Sequence, residues 1–358
     1  MLHCYRLCNA MNHSDTPPLC KIVQRNCDIS DARHASDYTL CVYLLKMREY
    51  YRWEKGYPFS APMSKDEISQ WLTAREQLWE TLESESFGQI QLQNRQLDPF
   101  DTEAINRMLL PSGYVYSGGF GHRAIPHFFM ARLEKRIPYN DFTILISADE
   151  CARDLTAPPA MTLGKTIFIR RESLRRMLWE KVQEWRWHKF DNAMARALSF
   201  YKFDEDLDGA IEQMTDAETR TVTLHEIGEI MAGEQLGEAW GEMMICLPRS
   251  KGEIMARAVR DHLADSLSTL PRLLEDQNPT SLHFYMANLT AMRRDLFPAF
   301  GDAYRDWTET DNLDKLEEVV IQGQDHWLAL GRKMLDLYST YGAHCIPHVE
   351  TLVESNRL

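Results

Sequence analysis

The sequence lacks the short signatures that identify most enzymes from their residues alone. It has no Cys-x-x-Cys pair, no Gly-x-Ser-x-Gly elbow and no Glu-x-x-His helix motif. Thioredoxin-like redox chemistry, serine hydrolysis on an α/β-hydrolase sheet and the ferritin-like carboxylate pair are therefore not indicated. No stretch approaches the roughly 18 uninterrupted apolar residues that span a bilayer. The first twenty residues hold Arg6, Asp15 and Pro17-Pro18, so the apolar core of a leader peptide is missing there too, and a cytoplasmic location is expected. Positive charge is also short: 40 Lys and Arg stand against 53 Asp and Glu, a net charge of −13. Such a balance makes non-specific nucleic-acid binding unlikely, because that binding depends on neutralising phosphates.

The chain has 358 residues, 44% hydrophobic and 26% charged, which is enough for one large domain or two ordinary ones. Its eight cysteines stand at 4, 8, 20, 27, 41, 151, 246 and 345. A zinc site from Cys4, Cys8, Cys20, Cys27 and His3 or His13 is conceivable, but the spacings match no standard finger or ribbon. Reduced thiols are expected instead.

Periodicity divides the chain into an irregular start (1–27), a helical region (28–110), a small antiparallel β insert (111–171) and a C-terminal helical domain (172–358). The fold class is mainly α, with a bundle-like core and a small β part. In the first helical region Asp37 is positioned to cap a run through Lys55, and Ser64 with Glu67 forms a capping box for the next helix. Tyr114–Tyr116, Phe142–Ile146 and Thr166–Ile169 read as strands, Phe128–Leu133 is ambiguous, and Cys151–Gly164 reads as a loop. The glycine run Ser117–His122 fits neither a phosphate loop nor a dinucleotide fingerprint, and reads as a flexible turn. Helices are expected over Ser173–Trp187, Asp216–Leu236, Gly252–Leu274, Ser281–Leu296 and Leu313–Tyr338.

The best candidate for chemistry is His225-Glu226-Ile-Gly-Glu229, inside the helix that Asp216 is expected to cap. His225 and Glu229 are four residues apart, so they share a face and could hold one cation, with Glu226 a step round as proton acceptor. The pattern resembles the zincin His-Glu-x-x-His, but Glu229 replaces the second His. A carboxylate there suits iron or manganese as well as zinc. Gly228, Ala232, Gly233 and Gly237 follow on the same helix, and such residues are tolerated where a backbone or ligand comes close. Arg260-Asp261-His262-Leu-Ala-Asp265 offers further ligands in Asp261, His262 and Asp265. The bland alternative for the first segment is tight helix–helix packing by its small residues, with Glu229, Glu234, Glu238 and Glu242 on a solvated stripe, and for the second it is surface ion pairs. Asp31-x-x-His34 with Asp37, and His344, Cys345 and His348, are weaker clusters; Pro347 interrupts the latter. Arg170, Arg171, Arg175 and Arg176 with Trp179, Trp185 and Trp187 could stack on an anion, or simply pair with interspersed glutamates.

The reading is a metal-dependent enzyme (Zn, Fe or Mn) on a small-molecule substrate. The alternative is a non-catalytic helical interaction or regulatory protein. The segment Asp28-Ile-Ser-Asp-Ala-Arg-His-Ala-Ser-Asp-Tyr-Thr-Leu-Cys41, continued by Tyr43 to Glu54, also resembles an uncharacterised family of bacterial proteins of about this length. Ala157-Pro-Pro-Ala160 and His225–Glu229 share in that resemblance, which covers most of the chain from about residue 19. It implies a bacterial, cytoplasmic origin, with no assigned activity and no functional residue.

Overall fold

The computed structural model describes residues 16–121, 124–188 and 190–358, with the side chains of residues 16, 17 and 188 left aside. It is mainly helical, and the chain divides into two compact units. One comprises residues 1–180 and 203–215, the other residues 181–202 and 216–358. Among the described residues, no helix is long and apolar enough to cross a membrane.

The first unit opens with α1 (Thr16–His34), which begins well ahead of Asp28. Asp37 lies in a 3₁₀ turn and does not cap the next helix, α2 (Leu40–Lys55); Thr39 occupies that position. Gly56 ends α2 in the left-handed region (φ 65°), where an L side chain would be strained. Ser64 caps α3 (Lys65–Leu82) by accepting from the Glu67 amide at 3.5 Å, as the capping box requires.

A two-stranded ribbon, β1 (Ile90–Leu92) and β2 (Arg95–Leu97), interrupts the region expected to be helical. Its turn residues Gln93 and Asn94 both have positive φ, the hairpin geometry that asparagine tolerates. After α4 (Thr102–Leu109) comes the main sheet. It contains β3 (Tyr114–Phe120), β4 (Pro126–Tyr139), β5 (Phe142–Arg153), β6 (Ala160–Leu163) and β7 (Thr166–Arg170) in the order β3-β4-β5-β7-β6. The sheet is mixed and not purely antiparallel, because β5 and β7 run parallel from Thr143↔Thr166 to Ser147↔Arg170. The chain leaves β5, adds β6 as an outer strand, and returns through β7 alongside β5. Two corrections follow: Cys151–Gly164 is partly strand, and the glycines at 118 and 119 lie inside β3.

Alternation along β4 sends its side chains into two of the unit's hydrophobic clusters. Phe128 and Met130 face α1, packing with Leu19, Val23 and Cys27. Phe129 and Ala131 face the opposite way, onto Leu145 and Phe168. Gly118 is required by close approach: a Cβ there would stand under 3.0 Å from the Pro99 carbonyl.

The segment Arg171–His188 (α5) follows β7. The arginines at the junction of β7 and α5 are ion-paired. Arg170 pairs with Glu150 at 2.8 Å, Arg171 and Arg175 with Glu212 at 2.7 and 3.2 Å, and Arg176 with Glu172 at 2.9 Å.

The second unit is helical among its described residues. A short α6 (Ala193–Leu198) precedes α7 (Leu207–Leu236), which passes from the first unit into the second along the chain. Asp216 is interior to α7 and is not its cap; Asp206 accepts from the Gly209 amide at 3.0 Å where the helix starts. Next come α8 (Glu238–Cys246), α9 (Lys251–Ala264), a π-helical turn (Asp265–Thr269) and α10 (Leu270–Glu275). They are followed by α11 (Pro279–Asn288), α12 (Ala291–Leu296), α13 (Pro298–Thr310), α14 (Asp314–Tyr341) and α15 (Ile346–Glu354). Pro347 does not break the C-terminal segment. It sits in the first turn of α15, where its missing N–H costs nothing. The buried centre of this unit is built on Trp240, Leu263, Phe297, Phe300, Trp327 and Met334.

Candidate functional site

The π turn is the local event on which the site depends. Pro271 has no N–H to continue the α ladder, and the Leu270 amide instead bonds five residues back, to the Asp265 carbonyl. Turns of this kind recur at functional sites. Here it carries Asp265, which is buried at the junction of α9 and α10.

Asp265 is the best-satisfied carboxylate in the group. His225 Nδ1 and Thr269 Oγ1 each donate to its Oδ1 at 2.8 Å. Tyr285 donates to Oδ2 at 3.0 Å, and the Arg293 guanidinium donates to the same oxygen. Burial opposes the charge on Asp265, but the His225 and Arg293 cations and these hydrogen bonds outweigh it and hold its pKa well below the carboxylate range.

With Nδ1 committed to Asp265, His225 has its Nε2 to offer elsewhere. Burial disfavours the imidazolium. The Asp265 carboxylate, with Glu229 and Asp261 behind it, more than compensates and lifts the His225 pKa to about 9. One ligand atom each from His225, Glu229 and Asp261 lie within 4.8 Å of one another, and all three residues are half-buried. Glu229 is paired with Arg260 at 2.5 Å. Asp261 makes no side-chain hydrogen bond among the described residues. Glu229 and Asp261 are both raised in pKa, first by burial, with the Asp261 charge adding to Glu229 and the Asp265 charge adding to Asp261, against the pull of the nearby cations.

These residues meet because α7 and α9 touch at Gly228. A Cβ at Gly228 would stand under 3.0 Å from the Ala264 carbonyl oxygen, so only glycine lets the two backbones approach. The other small residues of α7 do not share this role. Nothing lies within 4 Å of a Cβ built at Gly233, and Gly237 has left the helix with φ 76°.

Of the sequence candidates, the structure brings together His225, Glu229 and Asp261 as possible donors, with Asp265 as the partner that orients His225. Glu226 stays beside them on α7, half-buried and outside the three-donor group. His262 is not part of the site. Its Nε2 donates to the Arg293 carbonyl at 2.9 Å, and its ring stacks on Trp327 at 4.8 Å. Burial and the Arg293 charge push its pKa down to about 3, which fixes it as a neutral core histidine. Arg293, Tyr285 and Thr269 escaped the sequence reading. Thr269 lies one turn from Asp265 and was in reach of it, whereas Tyr285 and Arg293 arrive on α11 and α12 with no local signal.

The weaker clusters resolve differently. Cys4, Cys8, His3, His13 and His122 lie outside the described residues, while Cys20, Cys27 and Cys151 are buried, with Cys20 Sγ donating to Cys151 Sγ at 2.7 Å. Cys345 is buried in the core and His348 stacks on Tyr341, so neither joins a metal-compatible group.

Comparison with known families also divides the chain into two parts. Residues 18–170 match the N-terminal domain, and residues 175–356 the C-terminal domain, of a family of unknown function, DUF6866. The chain belongs to that family. Within DUF6866 the candidate site falls in the C-terminal domain, since His225, Glu229, Asp261 and Asp265 all lie between 175 and 356. No curated protein and no solved structure matches the chain.

Proposed function

We propose that this DUF6866 protein is a metal-dependent enzyme acting on a small molecule. The helical segment 172–358, with its bundle-like packing, carries the site. His225, Glu229 and Asp261 are the ligands, Asp265 is the outer-shell partner of His225, and Glu226 is the proton acceptor. The observation behind this reading is the convergence of the three donors within 4.8 Å beside a histidine whose other nitrogen is held by a carboxylate. Metal-ligating histidines almost always show that outer hydrogen bond, because it fixes the ring and raises its basicity. Two carboxylates and one imidazole suit manganese or iron, and zinc also accepts such a set.

Elemental analysis of untagged protein, prepared without chelators, tests the proposal. About one equivalent of a divalent transition metal is expected, falling sharply in His225→Ala. Sub-stoichiometric metal that does not change in that variant overturns it.

A second reading has one observation in its favour. Arg260 on Glu229, and His225 with Arg293 on Asp265, already balance those two carboxylates without an ion. On that reading the helices form a non-catalytic interaction or regulatory protein held by an ion-pair network. Glu229→Gln would then leave function intact, whereas the metal reading requires it to lose both metal and activity.

A further inference from the structure

We propose that the N-terminal unit contains a separate binding cavity for a small molecule with an apolar body and a cationic amine group. The cavity, about 560 Å³, lies between the C-terminal end of α1, the end of β3, and β6. That volume is within the range of sites that enclose metabolite-sized ligands.

Its walls draw on three sequence segments that the metal site does not use. Ser30, Asp31, His34 and Asp37 come from the acidic end of α1 and the turn beyond it, and Pro158 and Ala160 from the Ala157–Ala160 segment. Phe120 and Gly121 end the glycine run. Apolar side chains make up much of the lining, including Phe120, Ile125, Met161 and Leu163. Among the described residues, no lysine or arginine lines it.

Two buried polar groups point to an occupant. His127 is 7% exposed, and its Nδ1 has no hydrogen-bond partner. Its Nε2 lies 3.4 Å from Ser117, which does not line the cavity. The Nδ1 edge is on the side of Gly121, which does line it. Leaving such a nitrogen unpaired costs about 1–3 kcal/mol unless a ligand or water satisfies it. Asp31 is 5% exposed, and both its oxygens share a single donor, the Leu155 amide at 3.0 Å. It has no ion pair with a lysine or arginine among the described residues; burial, then the neighbouring Asp154, raise its pKa, so the charged form is costly here unless a cation is brought in. Asp37 adds a second carboxylate at the wall, engaged by His34 at 3.4 Å. A metal is not the expected cation, because no metal-compatible cluster forms here among the described residues. An organic ammonium with an apolar tail meets both the acidic and the apolar walls.

Titration of the full-length protein with phenethylamine, phenethyl alcohol and phenylacetate, followed by calorimetry and ligand-observed NMR, tests this. The amine is expected to bind saturably, at least tenfold tighter than the alcohol, with phenylacetate not binding. Ala160→Phe fills the cavity and is expected to abolish amine binding while keeping the melting temperature. Asp37→Asn alters a half-exposed side chain that does not support the fold, and is expected to weaken the amine at least threefold without changing the alcohol. If Ala160→Phe does not fold, Asp37→Asn decides. Absence of saturable amine binding, equal affinity for alcohol or phenylacetate, or wild-type amine affinity in the folded variants overturns the proposal.

Discussion

Gly228 and Ala264 mark the point where α7 and α9 come closest, with the Ala264 carbonyl oxygen occupying the space a Cβ on Gly228 would need. His225 and Glu229 flank Gly228 on one helix, and Asp261 and Asp265 flank Ala264 on the other. The glycine thus sets the distance across which the donors face one another.

Gly228→Ala is accordingly expected to lower stability by about 1–3 kcal/mol, the usual cost of overpacking, and to spread the site. Gly233→Ala is expected to do the reverse. It adds a methyl to open space and removes a helix-interior glycine, for a gain of up to about 1 kcal/mol. Urea denaturation of the two variants measures both, and equal effects would remove the special role of Gly228.

Replacing Asp265 separates its two duties. Asp265→Ala leaves the Arg293 cation largely buried without its partner and is expected to cost about 3–5 kcal/mol. Asp265→Asn keeps most of the packing. If the metal reading holds, it is expected to lower metal affinity about 10–100-fold by loosening His225. Calorimetric titration with Mn²⁺ distinguishes an affinity loss from a folding loss.

The raised pKa of His225 has a direct signature. In metal-free protein the ring is expected to stay protonated at pH 7 and to titrate near pH 9, as followed by imidazole NMR shifts. Because the folded value exceeds the ordinary one near 6.5, the stabilisation from this pair is complete below about pH 6.5 and is lost as pH rises through 9. Asp265→Asn should return the titration toward the ordinary value.

Glu218 supplies a second pH dependence, away from the site. It is buried, accepts from Ser281 at 2.8 Å, and burial raises its pKa to about 7, with the hydrogen bond from Ser281 pulling the other way. The folded state therefore holds a proton that the unfolded chain has released above about pH 4.5. Stability falls as pH rises from about 4.5 to 7, by up to about 3 kcal/mol at roughly 1.4 kcal/mol per unit. Glu218→Gln should flatten that part of the stability profile; an unchanged slope would mean that other groups set it.

Much of this architecture was legible in residue patterns. Gly56 and Ser64 act locally, so the end of α2 and the start of α3 follow from sequence. The strand character of Tyr114–Tyr116 and Thr166–Ile169 follows from β-branched and aromatic runs. What could not be read depends on distant partners. The parallel pairing of β5 with β7 is decided by packing against the rest of the sheet. Gln93-Asn94 marks a hairpin, but its flanking strands are only three residues long and give no period. At the site, the i,i+4 spacing of His225 and Glu229 and the nearby Asp261 and Asp265 were visible. The inward turn of His262 was not, because adjacent helical residues differ by about 100° and only the fold decides which one faces the neighbour. The same limit hid Arg293.

The π turn at Asp265 amounts to one extra residue spliced into a continuous helix. Removing a single residue between Asp265 and Leu270 would restore the α register and swing the carboxylate about 100° relative to everything downstream. Tyr285 and Arg293, fixed on later helices, would no longer meet it. The site is thus sensitive to chain length in this segment as well as to side-chain identity. A related sequence that keeps every one of these residues but is one residue shorter here would be expected to have lost the site.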